Sequence, residues 1–258
     1  MKRVFEINYK QEGVLMIPKR IFYIWFGEKK LPQDVLNNIK GWKKLNPDFE
    51  VIRIDERNFE INKYNYIKEA YKSGNWAFAS DMARLIIIYT YGGFYLDTDV
   101  TLIKPLAPLA KFKSVWGLEN SNAINSGLIL GANCCDNDLE NLINIYNKLD
   151  FDPNNKFKFV TVKIITNYFI KKGFVTKNRV QSLGDGTVIF STKYFAPFHW
   201  WGGGKISNET IAIQNYSSSW VKRGKEPILQ KIILNSIFYL PKYSLLVLRV
   251  LKKIKSII

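Results

Sequence analysis

Residues 75–93, NWAFASDMARLIIIYTYGG, constrain the fold of this chain more than any other stretch. Ala79, Ala83, Ile86 and Ile87 recur at helical spacing, and Gly92-Gly93 stops the helix. Asp81 and Arg84 are three residues apart, so they share a helix face. The chain then enters FYLDTDV, a short aromatic strand that ends in two carboxylates, Asp97 and Asp99. Upstream, IPKRIFYIWF (17–26) reads as a buried strand. LPQDVLNNIKGWKKLNPDF reads as a helix on Leu36, Ile39 and Trp42 that ends at Asn46-Pro47. FEVIRID (49–55) alternates like a strand, and residues 63–74 suit a helix or helix pair. Strand, helix, strand, helix, strand predicts an α/β domain.

The second half continues the pattern. SVWGLE and INSGLILGA (124–132) are strand candidates, and DNDLENLINIYNKL is an amphipathic helix lined by Leu139, Leu142, Ile143, Tyr146 and Leu149. Asp136 and Asp138 read as helix-capping acids. VKIITNYFIKKG is a further helix, VIFSTKYFAPF has strand character, and residues 199–210 form a glycine-rich loop. The lone histidine, His199, sits beside two tryptophans and reads as a structural loop residue. AIQNYSSSW starts as a strand and turns polar. From Pro241, Val247, Val250, Leu251, Ile254 and Ile258 share one helical face, with Arg249, Lys252 and Lys253 on another. This basic amphipathic helix suits either docking on the protein's own core or lying on an anionic membrane surface.

With 47% apolar residues, 258 residues can build one large core. The charge of +16, from 38 Lys+Arg against 22 Asp+Glu, favours a polyanionic partner: nucleic acid, a nucleotide's phosphates or a membrane surface. Nucleic acid is not expected, because no RNA-binding motif is present and the central acids sit badly on a backbone-binding face. The adjacent Cys134 and Cys135 read as reduced packing thiols, which points to a reducing compartment. No signal peptide and no membrane span is expected, so the expected location is cytoplasmic, with a peripheral place on the inner face of the membrane if the last helix binds lipid.

The acidic pair is the chemical focus. In an ideal strand Asp97 and Asp99 point the same way. Where the chain begins to turn, both can approach one cation, and oxygen ligands suit Mn²⁺ or Mg²⁺. A general acid/base pair and a plain polar strand edge are the other readings. Ligand sites favour the carboxyl ends of strands in open α/β sheets, which supports the metal reading. Nothing in the sequence identifies a nucleophile.

IPKRIFYIWFG, NWAFASDMARLIIIYTYGGFYLDTDV and the late Ser-Trp together resemble the glycosyltransferase family with the DXD sugar-binding motif. That family includes bacterial surface-polysaccharide transferases and is similar to yeast mannosyltransferases and, distantly, to clostridial toxin glucosyltransferase domains. The resemblance implies an α/β GT-A-like fold, a mixed central sheet flanked by helices. It implies a single catalytic domain over 1–240, with a donor-binding part at about 17–110 and an acceptor-side part at about 111–240, followed by the 241–258 helix. It implies a UDP-sugar donor, a Mn²⁺ or Mg²⁺ cofactor, retention of configuration, and a glycan or lipid-linked saccharide acceptor. By motif position, Asp99 is implied as the direct metal ligand, with Asp97 near sugar, ribose and metal. Asp81 and Arg84 would hold the donor sugar beside Ala79 or Ser80, and Trp25 would stack on the base. Asn125, in INSGL, is a donor- or acceptor-facing candidate. The late block departs from the family: Gln214 and Asn215 stand where a histidine pair is frequent. Asn215 is the candidate that offers the metal an oxygen. Ser219 and Trp220 match the family's Ser-Trp, Trp220 as a catalytic donor to the leaving phosphate. A catalytically inactive glycan-binding or scaffold module of the same fold is the alternative, with a nucleic-acid-binding protein ranked after it.

Overall fold

The computed structural model describes residues 16–216 of the chain. Its centre is a seven-stranded mixed sheet in the order β2-β1-β3-β6-β5-β8-β7. The strands are β1 (Arg20–Ile24), β2 (Glu50–Ile54), β3 (Gly93–Tyr95), β5 (Ser114–Asn120), β6 (Ala123–Ala132), β7 (Gln181–Ser182) and β8 (Thr187–Phe190). β2, β1 and β3 run parallel, as do β5 and β8, whereas β6 is antiparallel to both β3 and β5, and β7 is antiparallel to β8. A second, two-stranded sheet pairs β4 (Val100–Leu102) antiparallel with β9 (Ala212–Gln214).

Period-two alternation puts the strands between two cores. Phe22, Ile24, Tyr95 and Trp116 face one, and Ile21, Tyr23, Phe94 and Val115 face the other. The first core is roofed by α2 (Asn65–Lys72), α3 (Trp76–Tyr91), α4 (Asn137–Tyr146) and α5 (Thr161–Lys171). The second is covered by α1 (Gln33–Leu45) and by the short α6 (Thr192–Phe195). On α1 the buried residues are Val35, Ile39 and Trp42. Leu36, expected on that face, is 43% exposed, because the buried stripe starts one residue earlier.

α3 is buried on nearly every side, from Phe78 through Ile88. A helix buried nearly all round belongs at the centre of a domain, and this contact outweighs the weak helix propensity of its three consecutive isoleucines. Gly92 ends it at φ 62°, where an added Cβ would lie 2.9 Å from the Cys134 nitrogen. Two expected strands are shorter than their patterns. FYLDTDV breaks after Tyr95 and resumes at Val100. VIFSTKYFAPF gives β8 and then a helical turn, which lets Tyr194 and Phe195 both pack on Phe190. The short β7 carried no visible pattern. Among the described residues no helix is long and apolar enough to cross a membrane. Ser219, Trp220 and the helix expected at 241–258 lie outside the described residues.

Candidate active site

Asp97 and Asp99 lie in a tight turn between β3 and β4, closed by Val100 N–H donating to the Asp97 carbonyl at 3.0 Å. The turn follows the carboxyl end of β3, next to the carboxyl ends of β1 and β2. It is braced from α1: the Asn38 amide donates to the Thr98 carbonyl at 2.9 Å, and the Trp42 indole donates to the Val100 carbonyl at 2.9 Å. The two acids therefore emerge around a bend and not along one strand face, so each meets its own set of partners.

Asp97 is clamped. Its Oδ1 takes Arg84 Nη2 at 3.1 Å and the Tyr95 hydroxyl at 2.9 Å, and its N–H donates to the Gly127 carbonyl at 2.9 Å. Arg84 also holds Asp81 at 3.0 Å and lies 4.8 Å over the Tyr95 ring. This pair is no surface ion pair: Arg84 is 4% exposed and Asp81 9%. Burial pushes the Asp81 carboxyl up to about 7; Arg84 pulls it down and Asp97 pushes it up. Burial works against the Arg84 charge, but Asp97, Tyr95 and Asp81 outweigh it and hold the guanidinium above its ordinary value. One cation shared by two carboxylates leaves excess negative charge in a low-dielectric place.

The INSGL block closes the cluster. β6 bulges between Asn125, opposite Gly117, and Leu130, opposite Trp116, and this swings Ser126 and Gly127 toward Asp97. Arg84 Nη1 reaches Ser126 Oγ at 3.4 Å. A Cβ on Gly127 would sit 1.9 Å from Asp97 Oδ2. Asn125 itself shapes the bulge: its oxygen accepts Gly127 N–H at 2.7 Å and its amide donates to Glu119 at 3.0 Å. Sequence reasoning picked Asn125 and missed Ser126 and Gly127.

Asp99 is held from β9. Its carbonyl accepts Asn215 N–H at 3.0 Å and the Asn215 amide at 2.8 Å, and that amide also donates to Thr101 Oγ1 at 2.8 Å. The Asp99 carboxylate accepts instead from Gln214 Nε2 at 3.0 Å. The Asn215 amide thus braces the backbone, and Gln214, left without a role in the sequence reading, is the amide beside the carboxylate. The Gln214 Oε1 is buried and has no hydrogen-bond partner among the described residues. Carboxylate and amide oxygens are the hard donors that Mg²⁺ or Mn²⁺ take, and the Gln214 amide, which donates to Asp99 and keeps an orphaned oxygen, fits such an ion. No cluster of three or more His, Cys, Asp or Glu suited to a metal occurs among the described residues.

Trp25 follows the last residue of β1, half-buried, with its N–H on the Ile54 carbonyl and its indole on the Lys29 carbonyl at 2.7 Å. The next loop wraps Trp76, the first residue of α3: a Cβ on Gly27 would meet that ring at 2.8 Å, and Lys29 lies 5.4 Å from its centre. Ala79 is buried in the first core, and the Ser80 hydroxyl donates to the Trp76 carbonyl at 2.9 Å. His199 is buried and stacked on Trp201 at 4.6 Å, and burial holds its imidazole below the ordinary value. A pocket of about 450 Å³ along β2, lined among others by Phe22, Ile52, Phe59 and Tyr91 and by the charged Arg20, Glu50, Glu60 and Lys63, contains none of the candidate residues.

Residues 32–119 match the family model described as the glycosyltransferase sugar-binding region containing the DXD motif. Curated proteins similar to the chain include a bacterial and a yeast protein. "Subversion of eukaryotic traffic protein A" of Legionella pneumophila is 26% identical, over 48% of this chain and 24% of that protein. "Inositol phosphoceramide mannosyltransferase 3" of Schizosaccharomyces pombe is 32% identical, over 45% of this chain and 33% of that protein. The chain thus spans about a quarter to a third of the length of these relatives. Among solved structures, the PaToxG glycosyltransferase superposes with a TM-score of 0.50 at 17% identity, over 60% of this chain and 69% of that one. The sequence likeness to the DXD glycosyltransferases and the GT-A-like fold expected from it are both borne out.

Proposed function

We propose that the chain is a metal-dependent glycosyltransferase that moves a hexose, with retention, from a UDP-sugar to a glycan or lipid-linked saccharide. The observation that carries this reading is the divided acidic turn. Asp97 is neutralised by a buried arginine, whereas Asp99 stands beside an amide with a spare buried oxygen. That division suits two tasks: Asp97, Asp81 and Arg84 orient sugar and ribose hydroxyls, and Asp99 with Gln214 holds the cation. When bound, Mn²⁺ or Mg²⁺ would offset the charge that develops on the departing diphosphate. Trp25 offers the base a flat face at the end of β1.

In the transfer, the acceptor hydroxyl oxygen bonds to the sugar C1 and the C1–O bond to the diphosphate breaks. The bonding pair leaves with UDP, and the acceptor's proton passes to the departing phosphate oxygen on the same face. Arg84 is fixed on two carboxylates and needs no reorganisation as charge moves. Ser219 and Trp220 are proposed to donate to that phosphate, and a place on the cytoplasmic face of a membrane is proposed on the strength of net charge.

The test is calorimetric titration of UDP with and without Mn²⁺. Wild type is expected to bind UDP in a metal-dependent way, and Asp99→Asn to lose that dependence. Unchanged metal-dependent binding in Asp99→Asn would sink the assignment. A screen of UDP- and GDP-sugars for slow donor hydrolysis then identifies the sugar. Binding without hydrolysis or transfer would favour an inactive glycan-binding module.

A further inference from the structure

The outer face of α5 and the loop after it have properties that the donor site does not use. From residue 153 to 184 the chain holds seven Lys or Arg and no Asp or Glu. Lys172 is engaged by Asp138 and Asp185. Lys163, Lys171, Lys177 and Arg179 are exposed, and none of them has an acidic partner among the described residues. Lys163, Asn167, Ile170 and Lys171 form one outward stripe on α5, at helical spacing. Within this basic field three aliphatic side chains stand in solvent: Ile170 and Val175, each 45% exposed, and Val180, 42%.

The loop that presents them is tied down. The Gln181 side chain is buried, accepts Val175 N–H at 3.0 Å and donates to the carbonyls of Val175 and Lys177. Asn178 exchanges two hydrogen bonds with Thr192, at 2.9 and 3.0 Å. The buried Gln181 thus ties the loop from inside, while Val175 and Val180 are held outward among its exposed polar residues. An aliphatic patch ringed by uncompensated cations fits one kind of surface. The aliphatic groups enter the acyl boundary, and the long cationic side chains stay among anionic headgroups. A nucleic acid would use the cations but give the aliphatic groups no work, since its bases stack on aromatic rings.

We propose that the outer face of α5 and the 173–180 loop dock the protein on an anionic phospholipid bilayer. The proposal stands apart from the donor site, so UDP binding by the same variants separates the two. The experiment is flotation of the full chain with vesicles of phosphatidylcholine alone, or with about 30 mol % phosphatidylserine. Wild type is expected to float with the anionic vesicles only, and less as salt rises. Lys171→Gln with Lys177→Gln and Arg179→Gln is expected to lower partitioning about a hundredfold, at about fivefold per charge. Ile170→Ser with Val175→Ser and Val180→Ser is expected to lower it about tenfold or more while salt sensitivity remains. Both variants should keep the wild-type unfolding midpoint; if the triple charge variant does not, Lys177→Gln alone should still cost about fivefold. Any of four results would overturn the proposal: wild-type flotation by the charge variant, equal flotation with neutral vesicles, no flotation of wild type, or binding to a homopolymeric RNA in place of vesicles.

Discussion

Gly127 controls the geometry of the acidic corner by lacking a side chain. Its carbonyl anchors Asp97, and the space where a Cβ would stand holds Asp97 Oδ2 at 1.9 Å, with Arg84 Nη1 at 3.1 Å. Gly127→Ala must therefore push the carboxylate away from Arg84 and Tyr95. The expected result is a loss of about 1–3 kcal/mol in stability, by the usual cost of overpacking, and at least a tenfold weaker UDP–Mn²⁺ complex. Urea unfolding and calorimetry measure the two. Nothing around residue 127 in the sequence announces this role, because the residue it makes room for is thirty positions away and meets it only across β3 and β6. Asp81 and Arg84 were legible as a pair at helical spacing. That they are buried, and share Asp97, was not, because burial depends on what packs over α3.

At the scale of elements, α4 shows a reading that was right for one acid and not for its neighbour. Asp136 is the cap: its Oδ1 accepts the N–H groups of Asp138 and Leu139 at 2.9 and 3.2 Å. Burial, ahead of the opposing pull of Lys113, raises its carboxyl above the ordinary range. Asp138 instead joins a buried network with Tyr168, Lys172 and Thr187. The cap needs an oxygen and not a charge, so Asp136→Asn should preserve it and Asp136→Ala should not. Asp136→Ala is expected to unfold about 1 kcal/mol more easily than Asp136→Asn, a difference that thermal melts would read. The break in FYLDTDV has a different origin. Its residues suit a strand, but Asn38 and Trp42 of α1 and the β9 strand capture the backbone of residues 98–101 and bend it.

For the whole molecule, the buried acids separate stability into two pH windows. Asp81 has a folded value of about 7, above its ordinary carboxylate value, so folding favours its protonated form. Its contribution is fully present below the ordinary carboxylate value, declines as pH rises from about 4 to about 7, and is flat above. Asp185 behaves oppositely. Burial opposes its charge, but the hydrogen bonds from Lys172 and Thr187 outweigh burial and hold its carboxyl below the usual range. Its contribution is present at neutral pH and is lost only in stronger acid. Denaturant midpoints of the metal-free protein measured from pH 4 to 8 should fall up to about pH 7 and level off above it in wild type, and Asp81→Asn should flatten the fall. The same slope in both proteins would assign it to other groups.

By itself the sequence determined the alternation of strands and helices, the central apolar helix, the ends of α1 and α3, and the acidic motif with its upstream Asp-Arg pair. These are local properties: periodicity, a glycine stop, the spacing of charges along one helix face. Only the tertiary structure decided that Asp97 and Asp99 have different partners, that Gln214 rather than Asn215 meets the Asp99 carboxylate, and that Ser126 and Gly127 close the site. The physical reason is common to all three. Each depends on pairings between segments far apart in the chain, β6 against β3 and β9 against β4, and on a bulge in β6 that no local pattern encodes.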